Sequence, residues 1–424
     1  MKDLLDFLDS SPSPYHAVKN SVDLLEASGF QELDFSKKWD LKPGGSYYTR
    51  LYATTLFAFK VASQLEACPT LRMALAHTDY PCFRLKPHPD IWEKGYLKLN
   101  TSVYGGMIRS SWMDRPLSLA GRVALRSDDI LKPAMRLVDF KRPVLTIPNL
   151  AIHMNPDINK GIELNPQTEL SPILALVSEL EKNDYFLKLL ARELDVAPED
   201  ILDFDFYVYN WEKSCLLGAE NEFLSAPRLD NLTSVFACIS SIISSENKDT
   251  IRLISLYDNE EIGSRTKQGG DSTATMLLLE KLYTALGYSK IEYHDALFQS
   301  FFLSADVAHG LHPNYVGKCD PTHQPRLGDG VVLKINYSQQ YATDVEALAA
   351  IKQLCSKKNI PYQEFVNRSD MPCGSTLGSI VSSWLPVRTV DLGVPLLAMH
   401  SCRELMGCDD QDALHRLITS FFDV

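Results

Sequence analysis

The chain has 424 residues, 45% hydrophobic and 23% charged, a balance that excludes lasting disorder and predicts two domains rather than one core. Lys and Arg number 42 against 54 Asp and Glu, a formal charge of −12, which argues against nucleic acid or an anionic membrane as the main partner. The nine Cys include no Cys-x-x-Cys pair, so neither a disulfide framework nor a thiolate zinc module is expected.

The opening MKDLLDFLDSSPSPYH lacks the basic end and apolar run of a signal peptide. No apolar stretch approaches the roughly 18–20 residues that span a bilayer, so a soluble protein of a reducing, cytoplasmic compartment is expected. Leu4, Leu5, Phe7 and Leu8 mark a first amphipathic helix, and Val18, Val22, Leu24 and Leu25 a second over 16–27. PGGSYYTRLYATTLFAFKVA predicts paired strands, and LRMALA at 71–76 a buried strand ending at His77. From 88 to 150 the sequence breaks into short alternating segments, a β-rich texture. A helix is predicted over 172–194 and a strand over 204–211. Beyond Ala226, helices at 229–244, 272–286, 344–357 and 375–385 alternate with strands at 251–257, 299–305, 330–337 and 387–392. That alternation predicts one α/β domain built from 1–87 and 227–424, interrupted by a β-rich insertion at 88–226.

Acids and histidines recur where the apolar runs end. His77 and Asp79 follow LRMALA; Asp258, Glu260 and Glu261 follow IRLISLY; Asp306 follows SFFLSA; His400 follows VPLLAM. Asp230 opens the helix at 229–244. Ligands bind at the carboxyl ends of strands in open α/β sheets, so parallel neighbours would bring these residues together. Two imidazoles and three carboxylates without a thiolate suit Zn²⁺, Mn²⁺ or Co²⁺. Five ligands exceed the need of one catalytic zinc, whereas two metals roughly 3.5–4 Å apart with a bridging carboxylate account for the number. Asp79 stands where it can accept the second ring N–H of His77 and fix its tautomer. Of the adjacent Glu260 and Glu261, one can bind metal and the other serve as general base.

The ordered series AHTDYPCFRLKP (76–87), VYGG (103–106), WMDRPLSLAGRV (112–123), IPNLAIHMN (147–155), EFLSAPRLDNL (222–232), YDNEEIGS (257–264), SADVAHGLHPNY (304–315), YATD (341–344), RSDMPCGSTLG (368–378) and TVDLGVPLLAMHSCRE (389–404) resembles the aspartyl aminopeptidase family of dinuclear zinc metallopeptidases over essentially the whole chain. The resemblance implies a zinc-peptidase-type domain, its central mixed sheet flanked by helices, with an inserted β-rich domain for dimerisation. It implies that His77, Asp230 and Asp306 hold one metal and Asp230, Glu261 and His400 the other, with Glu260 as base and Asp79 orienting His77. It also implies dimers that build a tetrahedral dodecamer, and peptides with a free N-terminus as substrates. Three positions depart from the family pattern: Tyr80 for Ser, Cys319 for His and Gln340 for Arg. The last two lie near residues of the substrate pocket, so they bear on specificity.

On this reading His153 is an oxyanion donor supplied by a neighbouring subunit. Lys334, a lone cation inside an apolar strand, pairs with an acidic first side chain. Tyr341, Arg368 and Gly374 fall in the same region. An aminopeptidase of broad or neutral specificity and a non-catalytic oligomeric shell are the competing readings.

Overall fold

The computed structural model describes residues 1–65, 67–161 and 163–424. Its centre is a nine-stranded mixed sheet with helices on both faces. Strands Ile251–Tyr257, Leu71–His77, Phe301–Ala305 and Arg388–Gly393 lie side by side and parallel. The hairpin Ser46–Leu51 and Thr55–Lys60 extends one side. On the other, Val331–Ile335 runs antiparallel to Arg388–Gly393 and Tyr362–Val366 pairs beyond it.

Side chains alternate between the two faces of a strand, and both faces here are dry, which is why these segments read as mostly apolar runs with few polar residues. Met73 and Leu75 pack under helices Ala274–Ala285, Lys290–Phe298 and Leu377–Trp384. Ala74 and Ala76 face the opposite cluster, under helices Leu229–Ser244, Val345–Lys358 and Cys408–Phe422. Alanine on that face leaves room for Leu229–Ser244 to lie close over the middle of the sheet.

A second, six-stranded antiparallel sheet is formed by Cys82–Glu93, Tyr96–Tyr104, Leu117–Leu125, Ala134–Asp139, Ile173–Leu176 and Ile201–Asn210. Helix Tyr185–Leu194 covers it with Phe186 and Leu190. Tyr80 and Pro81 alone separate Asp79 from the first of these strands. A third sheet of five short strands includes Phe223–Ala226, Pro395–Leu397 and Glu404–Gly407.

The α/β expectation holds, and several element boundaries agree to the residue, among them helix Leu229–Ser244 and strand Ile251–Tyr257. The predicted helix over 172–194 does not form as one element. Ile173–Leu176 instead pairs with Tyr96–Tyr104, whose free edge takes up a segment that alone would suit a helix, and helix begins only at Tyr185. Helix Lys290–Phe298 escaped the periodicity reading, although Ser289 and Glu292 form a reciprocal capping box that advertises its start. Helix Cys408–Phe422 and strand Tyr362–Val366 were also absent from it.

Candidate metal centre

Register explains why the site forms. Tyr257 pairs with His77 and Ser304 with Leu75, so the three parallel strands end together. Their next residues, Asp258 to Glu261, His77 to Asp79 and Asp306, emerge at one edge. Asp230 reaches the same edge from the first turn of helix Leu229–Ser244, where its backbone is non-helical at φ −80° and ψ 104°. His400 arrives differently from the expectation. The segment before it is the three-residue strand Pro395–Leu397 of the small sheet, not a strand of the central one.

Two groups of donors share one carboxylate. His77 Nε2 is 3.3 Å from Asp230 Oδ1 and 3.5 Å from Asp306 Oδ1. His400 Nε2 is 3.2 Å from Asp230 Oδ2 and 3.4 Å from Glu261 Oε2. Each group could hold a metal ion, since its donor atoms all lie within 4.8 Å of one another. Glu260 stands beside both, its Oε2 4.0 Å from His77 Nε2.

Both rings are held by their other nitrogen. His77 Nδ1 is 3.1 Å from the main-chain oxygen of Asp79 and 3.5 Å from its carboxylate, so the carbonyl is the nearer acceptor. His400 Nδ1 is 2.7 Å from the carbonyl of Gly106. A carbonyl only accepts, so each Nδ1 carries a proton, which turns each Nε2 toward the carboxylate oxygens. At this range an Nε2 and those oxygens need a proton or a metal ion between them, since their lone pairs would otherwise repel. Apart from the two imidazoles, Asp230 Oδ1 and Glu261 Oε1 are moreover buried with no hydrogen-bond donor. These orphaned oxygens and the imidazole–carboxylate donor set fit divalent metal, zinc among them.

The charges of the cluster also shift one another's titration. Burial alone would lower the His77 pKa, but hydrogen bonds to Asp230, Asp306 and Asp79 hold it well above its ordinary value. For His400 burial is likewise overcome, by Asp230 and Glu261, and the pKa rises to about 10. Burial pushes Glu260 up to about 8, with Asp306, Asp79 and Asp230 adding repulsion against the pull of His77. Burial and Asp230 together push Glu261 well up. Asp230 itself is lowered, because its bonds to His400 and His77 outweigh its burial. Protons do here what a cation would do.

Asp79 does more than face His77. Its carboxylate accepts the backbone N–H of Glu260 at 3.1 Å and of Glu261 at 3.2 Å, and the Tyr104 hydroxyl at 2.7 Å. It thereby sets the turn that carries both glutamates. Sequence reasoning missed Tyr104, Gly106 and Glu404. Glu404 is 3% exposed and accepts the N–H groups of Asp230 and His400. Its carboxyl is pushed up to about 8 by burial and then by Asp230. The signal was thin: Glu404 and Gly106 act on or through main chain, which carries no residue code, and the Tyr104 hydroxyl meets a carboxylate 25 residues away.

The residues expected to bind substrate are more scattered. Lys334 is 1% exposed, and its ammonium is not free: Nζ lies 3.3 Å from Asp306 Oδ2 and 3.1 Å from the Val307 carbonyl. It also lies 5.0 Å from the centre of the Tyr341 ring. Arg368 pairs with Asp370 and donates to the carbonyl of Gly317. Gly374 is exposed in an open segment. His153 is exposed in a turn of the β-rich part, flanked by exposed Ile152 and Met154.

Imidazoles and carboxylates converging on the strand ends of an α/β sheet define a metal-dependent hydrolase. The chain belongs to the peptidase M18 family, whose profile, described as aminopeptidase I zinc metalloprotease, matches residues 7–422. It is accordingly a zinc aminopeptidase by family. A probable M18 family aminopeptidase 2 of Clostridium novyi is 45% identical over 424 residues, covering 100% of this chain and 98% of the relative. The structure also resembles the chain solved as the Ape4 and Nbr1 complex, with TM-score 0.95 and 35% identity over 99% of this chain and 85% of that one. The mApe1 dodecamer of S. cerevisiae matches with TM-score 0.86 and 27% identity over 99% of this chain and 95% of that one. Among the described residues no helix is long and apolar enough to cross a membrane.

Proposed function

We propose that the chain is an aspartyl-type aminopeptidase that removes an N-terminal Asp or Glu from peptides, using two divalent metal ions. The observation that carries the two-metal part is Asp230, whose two carboxylate oxygens each face the Nε2 of a different histidine. His77 and Asp306 would complete one site, Glu261 and His400 the other. Zinc is the first choice, with Mn²⁺ or Co²⁺ acceptable to the same donors. Bound there, the metals supply Lewis acidity for water activation near neutral pH and for polarising the scissile carbonyl.

The chain's own residues handle the protons. Glu260 takes one from the attacking water and returns it to the departing amine, a role its place beside both donor groups suits. Asp79 keeps Glu260 in place through its backbone N–H. Lys334 has three N–H donors and uses two on Asp306 and Val307, leaving one for an acidic first side chain. A neutral first-residue preference is the competing reading, and the Lys334–Asp306 pair favours it.

Residues 88–226 are read as the inserted dimerisation domain, with Arg368, Gly374 and Tyr341 toward the substrate pocket. Exposed Leu150, Ile152 and Met154, 50%, 48% and 69% accessible, surround His153 and suit a subunit contact that would present this ring to a neighbouring site. Dimers assembling into a tetrahedral dodecamer would fit that surface, and mApe1 is solved as a dodecamer. All nine cysteines are free thiols, which suits a reducing cytoplasm.

One purified preparation tests the reading. Metal analysis should return two ions per chain, and Asp or Glu anilides should be cleaved faster than Leu or Ala anilides. Light scattering should give a mass many times that of one chain. One ion, a neutral preference or an active monomer would each remove the corresponding part.

A further inference from the structure

Glu404 opens strand Glu404–Gly407 and pairs there with Ala226, just ahead of Asp230 in the chain. Its side chain points inward and is almost wholly enclosed. One carboxylate oxygen, Oε2, accepts the N–H of Asp230 at 3.0 Å. The other, Oε1, accepts the N–H of His400 at 2.8 Å. Among the described residues no Lys, Arg or His forms an ion pair with it.

A buried carboxylate without a cation is expensive to keep, and its two bonds go to the two residues that face each other across the second donor group. Asp230 and His400 are 170 positions apart in the sequence, and the shared carboxylate holds their backbones at one separation. His400 needs the restraint most, because its φ of +65° is one that few side chains adopt. Gly106 fixes the His400 ring from the far side, so ring and main chain are held independently.

We propose that Glu404 is a positioning residue for the metal held by Asp230, Glu261 and His400: it spaces two of the three donors without touching the ion. The inference rests on the two-metal reading above. A merely structural Glu404 would weaken the fold as a whole. A positioning Glu404 weakens one metal site more than the other, because His400 belongs to one group while Asp230 belongs to both.

The test is equilibrium dialysis of the full chain against graded Zn²⁺ buffers, with metal counted per chain, for wild type, Glu404→Gln and, as a marker of the second site, His400→Ala. In Glu404→Gln one acceptor survives and the amide N–H₂ confronts the other N–H. The site lost in His400→Ala should bind roughly 10–100-fold more weakly in Glu404→Gln, the scale for partners that orient metal ligands, while the other shifts only a few-fold. Equal shifts at both sites, or none, would overturn the proposal. Wild type holding fewer than two ions would instead strike the two-metal reading. Should Glu404→Gln fail to fold, Glu404→Asp, which reaches only one N–H, is dialysed in its place. Failure of both to fold would make Glu404 a fold determinant and end the proposal.

Discussion

His400 Nδ1 and the carbonyl oxygen of Gly106 lie 2.7 Å apart although 294 residues separate them in the chain. The bond joins the small sheet to the end of strand Tyr96–Tyr104, and it decides which ring nitrogen His400 shows to Asp230 and Glu261. Tyr104 makes the companion contact, donating to Asp79. The β-rich part of the chain therefore takes hold of both candidate metal groups, one through His400 and one through the loop after His77.

The two glycines of this segment should respond differently to alanine. A Cβ on Gly106 would meet only His400 Nδ1, at 3.8 Å, an ordinary contact. On Gly105, at φ +72°, it would lie 3.2 Å from Glu261 Cβ and 3.3 Å from Pro81. Gly105→Ala should cost about 1–3 kcal/mol of stability from backbone strain and displace Glu261. Gly106→Ala should stay near wild type in denaturant midpoint and metal content. Equal effects would mean that the turn is looser than its geometry indicates.

Glu260→Gln preserves shape but cannot accept a proton. Two ions should remain bound while turnover falls by roughly 10²–10⁴-fold, the scale of general-base loss. Steady-state kinetics with metal analysis on the same sample decide the matter. Activity within a few-fold of wild type would put the base elsewhere.

Chelated protein should lose stability as pH rises. His400 binds its proton up to about pH 10 in the folded chain against an ordinary value of 6.5. Its contribution is complete below that ordinary value and disappears as pH climbs through 10. Glu260, moved from 4.5 to about 8, acts in the same direction, because folding opposes its ionisation between those values. Calorimetry in a chelator from about pH 5 to 10 should show a falling Tm, and saturating zinc should flatten the slope. A chelated Tm that rises with pH would contradict the charge pattern of the cluster.

Lys334→Met separates two roles of one ammonium. If it recognises an acidic first residue, acidic substrates lose roughly 10–100-fold in kcat/KM, the worth of a charge-assisted bond, and neutral ones lose less. If it serves only to steady Asp306, both classes fall together. The ratio of Asp to Leu anilide hydrolysis gives the answer directly.

How much of this the sequence discloses depends on what kind of atom does the work. His77, Asp306 and the Glu260–Glu261 pair stand at the ends of strands dry on both faces, and such strands announce themselves as apolar runs with a polar residue at the tip. Asp230 is marked by the helix it opens. Lys334 is conspicuous as a cation among Val332, Leu333 and Ile335, yet its partner Asp306 lies 28 residues away and only the antiparallel turn of the sheet brings it near. Glu404 and Gly106 are harder still, because one grips backbone N–H groups and the other offers a carbonyl, and every residue has those. Ile173–Leu176 shows the same limit at the level of secondary structure: the free strand edge that recruits it is not in its own sequence.

The brevity of the Asp79 to Cys82 connection has a mechanical side. Pro81 stiffens it, and Tyr80 is anchored by its hydroxyl to the carbonyl of Pro12 and packed near the rings of Tyr207 and the guanidinium of Arg228. There is no slack between the six-stranded sheet and the loop that sets Glu260. A tilt of that sheet, whether from a neighbour pressing on it or from a destabilised edge, would reach the backbone of Glu260 across two residues and the Asp79 carboxylate. Lengthening this link by two glycines should uncouple the two parts, lowering turnover while leaving each sheet folded by circular dichroism.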